Sequence, residues 1–173
     1  MSLKHAVLGL LDLSPLSGYD LKKAFDGTVA HFWSADQAQI YRTLTALVDA
    51  ELAAIEVIEG DGRPSRKVHH VTEAGRAELD RWLQADPEPA VARNGFLAKV
   101  FFSPRLDDDG VRRMLAARRT AVEGSLGMLT ALSEEEGEPS SREERLRLAT
   151  LRNGIAHGRA ELGWLDEIEK ELS

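Results

Sequence analysis

No cysteine occurs among the 173 residues. That absence excludes disulfides, thiolate nucleophiles and cysteine-ligated zinc or iron-sulfur sites, all of which need the sulfur. No apolar run approaches the roughly 18 residues needed to cross a bilayer, and the start, Met1-Ser2-Leu3-Lys4-His5, is not followed by a signal-peptide core. A cytoplasmic chain without membrane association is the expectation. A Gly-rich strand-to-helix motif with its lysine is also missing, and Ser17-Gly18 lacks the context of a nucleophile elbow. Neither nucleotide chemistry nor catalysis has residues to rest on, so no enzyme and no cofactor are expected. Positive charge is in deficit too: 22 Lys+Arg against 29 Asp+Glu give a net charge of -7. At the scale of the whole chain this argues against nucleic acid, because a phosphate backbone attracts concentrated Lys and Arg.

The apolar pattern is mostly helical. Leu3, Val7, Leu10 and Leu11 form one stripe that stops at Ser14-Pro15. Ser17-Gly18-Tyr19-Asp20 reads as a cap with an acid three positions on, opening a second helix with Leu21 and Phe25 on one face. Ser34 and Gln37 have capping-box spacing ahead of Ile40, Leu44, Leu47 and Val48, which predicts a third helix to about Glu51. With Ile40, Leu44 and Leu47 turned inward, Arg42 lies roughly opposite, among Ala38, Gln39, Thr45 and Ala46. The pattern then becomes β-branched. Ile55-Glu56-Val57-Ile58 and Arg66-Lys67-Val68-His69-His70-Val71 flank Gly60-Asp61-Gly62-Arg63-Pro64-Ser65, which predicts a two-stranded hairpin.

Thr72 caps a helix with Leu79, Trp82 and Leu83 that ends at Asp86-Pro87-Glu88-Pro89, a candidate boundary between domains 1-86 and 87-173. Past it, Phe96, Leu97, Val100 and Phe101 are helically spaced up to Ser103-Pro104. Asp107-Asp108-Asp109 opens a helix carrying Val111, Leu115, Val122, Leu126 and Leu129, with its acids at the positive end of the helix dipole. Ser133-Glu134-Glu135-Glu136-Gly137-Glu138-Pro139 reads as a solvated connector. Ser141 with Glu144 opens a last long helix through Leu151, Ile155, Leu162, Leu165, Ile168 and Leu172. The fold class is mainly α with a small β-hairpin, the C-terminal half being two long antiparallel helices.

Three helices followed by a hairpin with a basic tip is the order of a winged helix-turn-helix, whose third helix enters the major groove while the wing touches the backbone or minor groove. Charge now reads differently at short range. Residues 1-86 hold nine basic and thirteen acidic residues, yet residues 63-67 hold Arg63, Arg66 and Lys67 with no acid. Ala6-Val7-Leu8-Gly9-Leu10-Leu11, Pro15-Leu16-Ser17-Gly18-Tyr19-Asp20-Leu21, Gln39-Ile40-Tyr41, Gly62-Arg63-Pro64-Ser65-Arg66-Lys67-Val68 and Val71-Thr72-Glu73-Ala74-Gly75 follow in order over about half the chain. Together they resemble the PadR family of bacterial transcriptional regulators. The second half, with Lys99, Phe101-Phe102 and Trp164-Leu165, resembles the branch with the longer helical C-terminal domain.

The resemblance implies a homodimeric repressor whose C-terminal helices contribute to the dimer interface and whose paired wings and third helices read a pseudo-palindromic operator. Half-sites would lie about one helical turn, roughly 34 Å, apart. Three positions depart from the family pattern: Arg42 where a proline is usual, Ala50-Glu51-Leu52 where a glycine ends the helix, and His69 where a tyrosine often stands. Base preferences therefore do not carry over. The candidate DNA-binding residues are Ser34, Gln37, Ala38, Gln39, Tyr41, Arg42, Thr45, Arg63, Ser65, Arg66 and Lys67. Tyr41 is either a DNA contact or a flank residue packed beside the wing. Arg42 and the wing cations are either DNA contacts or solvated surface.

Phe96, Phe101, Phe102 and Trp164 form dimer core or line a site for a small aromatic effector, as in some relatives. Because strand neighbours face opposite ways, His69-His70 does not suggest a metal site. The alternative function is a winged-helix protein-protein interaction module.

Overall fold

Helix α1 (Leu3–Leu13) is surrounded on several sides. Val7 and Leu8, adjacent in sequence and pointing in different directions, are both at 0% exposure, and Leu10 and Leu11 are buried beside them. A helix apolar over more than one stripe must be central to its domain. It packs against α2 (Gly18–Thr28), α3 (Gln37–Asp49), α4 (Glu73–Gln84) and the strand β3 (Arg63–Val71). Leu21 and Phe25 of α2, Ile40, Leu44 and Leu47 of α3, Ala53 and Val71 of the sheet, and Leu79 of α4 complete this core. Fully burying a side chain such as Phe25 stabilises by about 2–3 kcal/mol.

The structure is a computed structural model that describes residues 3–60, 63–87 and 94–172. The chain divides into two compact units, residues 1–89 and 90–173. In the first, the Ser17 hydroxyl caps α2 by accepting from the Asp20 N–H. The capping box of α3 is formed by Asp36 and Gln39, two residues beyond the expected Ser34 and Gln37. Both pairs have the same spacing. The difference is that Trp33 and Ala35 pack against the core, which holds Ser34 in the approach to the helix. A carboxylate is then available where the helix dipole favours negative charge.

The other end of α3 is a Schellman turn. The Leu52 N–H donates to the Leu47 carbonyl at 2.9 Å and the Glu51 N–H to the Val48 carbonyl at 3.0 Å. This geometry needs a left-handed residue, usually glycine. Here Glu51 supplies it at a φ of 57°.

The sheet has three antiparallel strands in the order β1-β3-β2, with β1 at Leu16–Ser17 and β2 at Ala53–Gly60. The expected hairpin is β2 and β3, in a register that sets Ala53 against Val71 and Ile58 against Arg66. The third strand was not expected, because two residues are too short to show a period. It sets Leu16 opposite His69 and Ser17 opposite Val68, tying the start of α2 to the base of the wing.

In the second unit, α5 (Gly95–Phe102) leads through a 3₁₀ turn (Ser103–Arg105) to α6 (Asp108–Glu136) and α7 (Arg142–Glu171). Helix α6 runs through Ser133-Glu134-Glu135-Glu136, which sequence placed in the connector. The break comes at Gly137, with φ 64°. Asp107 and Ser141 cap α6 and α7, and Glu144 completes a capping box. Hydrogen bonds from the Ser140 hydroxyl and from the Ser140 and Ser141 N–H groups hold the Glu144 carboxyl below the usual carboxylate range.

Arg112 donates to the Leu172 carbonyl, Arg119 pairs with Asp166 and Glu169, and Arg118 with Glu161. Arg112, near the start of α6, meets the end of α7 at Leu172, whereas Leu129, near the end of α6, packs with Leu148 and Leu151 near the start of α7, so the two helices are antiparallel. Buried Leu115, Val122 and Leu129 recur every seven residues on α6, the repeat of a coiled-coil seam. Leu129 packs with Leu148, Leu151 and Ile155 of α7. Among the described residues, no helix is long and apolar enough to cross a membrane.

Candidate nucleic-acid interface

With Ile40, Leu44 and Leu47 committed to the core, the rest of α3 is presented outward. Gln37, Ala38, Gln39, Tyr41, Arg42 and Thr45 are all exposed, as is Ser34 just before the helix. Two of these side chains are partly occupied. Gln39 accepts from the Asp36 N–H through Oε1 at 2.9 Å, leaving its amide NH₂ to donate. Thr45 donates its hydroxyl to the Tyr41 carbonyl at 3.1 Å. Arg42 has no ion-pair partner among the described residues and is the one cation of this helix.

Tyr41 packs in part against a neighbouring element, the start of α2, and in part faces outward. Its ring lies over Gly18, where an added Cβ would come within 2.7 Å of the Tyr41 Cε1. The absence of a side chain at Gly18 thus lets the ring rest on the start of α2. The ring nevertheless remains 43% exposed. Tyr19, next to it in the first turn of α2, is exposed as well. Sequence reasoning passed over Tyr19, although an aromatic just after a cap, on a helix with its apolar face elsewhere, was the available signal.

On the wing, Ser65, Arg66 and Lys67 are exposed on β3. Arg63 begins the strand, and its side chain lies outside the described residues. Arg66 is not a free cation: its Nη2 donates to Oδ2 of Asp20 in the first turn of α2. The Ser17 hydroxyl donates to the same oxygen at 2.6 Å. The Ser17 hydroxyl and the Arg66 guanidinium together hold the Asp20 carboxyl below the ordinary carboxylate range. Lys67 has no ion-pair partner among the described residues.

His69 and His70 diverge as strand neighbours must. His69 Nδ1 lies 3.4 Å from the Leu16 carbonyl, and His70 Nε2 lies 2.8 Å from Glu56 Oε2. Burial pushes the His69 pKa down, opposed in part by that carbonyl.

The four aromatics of the second unit fall into two pairs. Phe96 meets Trp164 edge-on at 6.2 Å between ring centroids, and the Arg118 guanidinium lies 5.4 Å from the Phe96 centroid. Arg118 is fixed by two hydrogen bonds to Glu161, of 2.7 and 2.8 Å. Phe101 and Phe102 contact each other but are 78% and 66% exposed. Helix α5 has no buried residue.

An outward polar helix, a basic strand pair beside it and a helical hairpin unit define a winged-helix regulator architecture. Comparison with known proteins narrows the class. Residues 7–81 match the transcriptional regulator PadR-like family, and residues 92–173 match the virulence activator alpha C-term family. A Mycobacterium tuberculosis protein described as a probable transcriptional regulator is 30% identical over 99% of this chain and 98% of its own length. The negative transcriptional regulator PadR of Bacillus subtilis is 35% identical over 58% of this chain and 56% of its own.

Two crystal structures of the Bacillus subtilis PadR superpose on the whole chain. The complex with operator DNA has a TM-score of 0.86 at 27% identity, covering 99% of each chain. The complex with p-coumaric acid has a TM-score of 0.79 at 26% identity, covering 98% of each. The chain belongs to the PadR-like family of transcriptional regulators.

Proposed function

We propose that this chain is a homodimeric repressor that binds double-stranded DNA at a pseudo-palindromic operator. In this reading α3 enters the major groove and the wing meets the adjacent backbone. The observation that carries it is the outward face of α3. Its core-facing residues are buried, while Gln37, Ala38, Tyr41, Arg42 and Thr45 are exposed around a single unpaired cation. Arg42 is the candidate base reader, since a guanidinium in the major groove donates two hydrogen bonds to guanine, worth about 1–3 kcal/mol of discrimination. Ser34 and Gln39 flank that contact, Gln39 through its amide NH₂. Tyr41, Ser65, Arg66, Lys67 and Arg63 are the candidate backbone contacts. The fold of a relative crystallised on operator DNA supports the assignment, and the name of the Bacillus subtilis relative supports repression.

The dimer rests on the second unit. An eight-residue helix with none of its residues buried leaves Leu97, Phe101 and Phe102 for a second copy to cover, and large aromatics are frequent anchors of interfaces. A small planar aromatic effector is the accompanying proposal, supported by the relative crystallised with p-coumaric acid. Phe96 and Trp164 are its candidate contacts. The effector would act by binding more tightly to the state of the dimer that does not fit the operator.

The test is a gel shift with DNA from upstream of the protein's own gene, with competitor present, on wild type and Arg42→Ala. A competitor-resistant complex weakened by Arg42→Ala more than the non-specific complex supports the reading. Equal weakening of both removes Arg42 as a base reader. No salt-sensitive complex at micromolar protein favours a protein-interaction module.

A further inference from the structure

We propose that Asp20 is an internal stand-in for phosphate: it occupies Arg66 in the free protein, so that DNA must exchange a phosphate for a carboxylate to gain this wing contact. This rests on the DNA-binding reading above.

The geometry is specific. Oδ2 of Asp20 accepts from the Arg66 guanidinium and from the Ser17 hydroxyl, the latter at 2.6 Å. Two donors converging on one anionic oxygen is the arrangement that a backbone phosphate oxygen would offer. Three features hold Asp20 there. It sits in the first turn of α2, where the helix dipole favours an anion. Its own N–H donates to the Ser17 hydroxyl at 3.2 Å. Finally, Ser17 is paired opposite Val68 of the wing strand, so the carboxylate and Arg66 are brought together by the sheet although 46 residues apart in sequence.

The pair is also breakable. The side chains of Arg66 and Asp20 are 56% and 34% exposed, and exposed ion pairs contribute little to stability because water competes for both partners. A phosphate can therefore take the place of the carboxylate, but not without opposition. Asp20 stays beside the phosphate as a like charge unless Arg66 bridges both. The consequence is low affinity for arbitrary DNA. Of the two described cations of the wing, Arg66 is neutralised at home and Lys67 alone is free to attract a backbone. Binding strong enough to displace Asp20 must then be supported by contacts elsewhere, from α3 and from the second copy.

The test is a salt series of fluorescence-anisotropy titrations on a labelled duplex of scrambled sequence, using full-length wild type, Asp20→Asn, Arg66→Ala and the double variant. Asn keeps an oxygen for the Ser17 hydroxyl, and thermal melts check that each variant is folded. Asp20→Asn is expected to tighten binding severalfold and to steepen the slope of log K against log salt by about 0.9, the increment of one phosphate contact. In the Arg66→Ala background the same substitution is expected to leave the slope unchanged. Three results overturn the proposal: an unchanged slope on Asp20→Asn, weaker binding by that variant, or an equal change of slope with and without Arg66. The first two mean that Asp20 is neutral or positions Arg66 for DNA; the third means that it acts only through diffuse charge. If wild type and all variants bind no duplex at low salt, the DNA-binding reading fails and takes this proposal with it. Binding by wild type without the Asp20 effect defeats this proposal alone.

Discussion

The two units solve the burial problem differently. In the first, α1 is enclosed by three helices and a sheet, and large residues such as Phe25, Leu8 and Leu21 reach complete burial. In the second, Leu115 and Leu165 are also completely buried, but two helices of 29 and 30 residues share a narrow seam and alone cannot surround either member. Leu97, Phe101, Phe102, Leu106, Met128 and Leu146 are left exposed. The first unit closes a core of its own and leaves the polar face of α3 and Lys67 of the wing exposed. Both units leave large apolar residues exposed, Phe32, Val57 and Leu83 among those of the first, but in the second Leu97, Phe101 and Phe102 gather on the single helix α5, the face proposed above to be covered by a second copy.

That contrast is open to direct challenge, beginning where the effect is largest. Phe25→Ala should destabilise the first unit by about 3–5 kcal/mol, the range for truncating a buried phenylalanine. Urea melts should show the same loss at every protein concentration. A loss that varied with concentration would mean that this core depends on a second copy.

The matching change in the second unit is Phe101→Ser with Phe102→Ser. Here little is buried within the chain, so the expected effect is on assembly: dimer affinity weakened by about 2 kcal/mol or more, as for aromatic anchors of interfaces. Sedimentation equilibrium measures it. An unchanged dimer constant would remove α5 from the interface.

A smaller effect, of opposite sign, is expected at the end of α3. Glu51 occupies a left-handed position at φ 57°, at a cost of roughly 1 kcal/mol for a residue with a Cβ. Glu51→Gly should therefore raise the melting temperature slightly, the gain being reduced by the greater freedom of glycine in the unfolded chain. Unaltered DNA affinity would show that the cap is structural; a lower melting temperature would contradict the assignment of strain.

The smallest effect is tied to pH. The folded-state pKa of His69 is depressed by burial, so its neutral form favours the fold. That contribution is complete above the unfolded value near 6.5 and is lost as pH falls through the folded value. Urea midpoints should drop between pH 7.5 and 5.5, by less in His69→Gln. An equal drop in both would assign the sensitivity to other groups.

Local signals accounted for much of this architecture. Helices α1 to α7 follow from apolar period and caps, and the β2-β3 hairpin from its β-branched runs around a Gly/Pro turn. What escaped was non-local or too short to carry a pattern. Strand β1 has two residues. The box at Asp36 and Gln39 has the same spacing as Ser34 and Gln37, and only the packing of Trp33 and Ala35 chooses between them. The last turn of α6 looked like a polar loop because Glu134-Glu135-Glu136 serves equally well as a solvated helix end.

The candidate site divides the same way. Exposure of Arg42, Thr45 and Lys67 follows from helical phase and charge. The seat of Tyr41 on Gly18, and the capture of Arg66 by Asp20, depend on how distant segments meet. No sequence period reports them.

Selection of bound sequences from a random DNA pool by the full-length protein tests the central claim most directly. The account predicts enrichment of a pseudo-palindrome whose half-sites lie about one helical turn apart, as paired α3 helices in a symmetric dimer require. No enrichment, or enrichment of a single unpaired half-site, would contradict it.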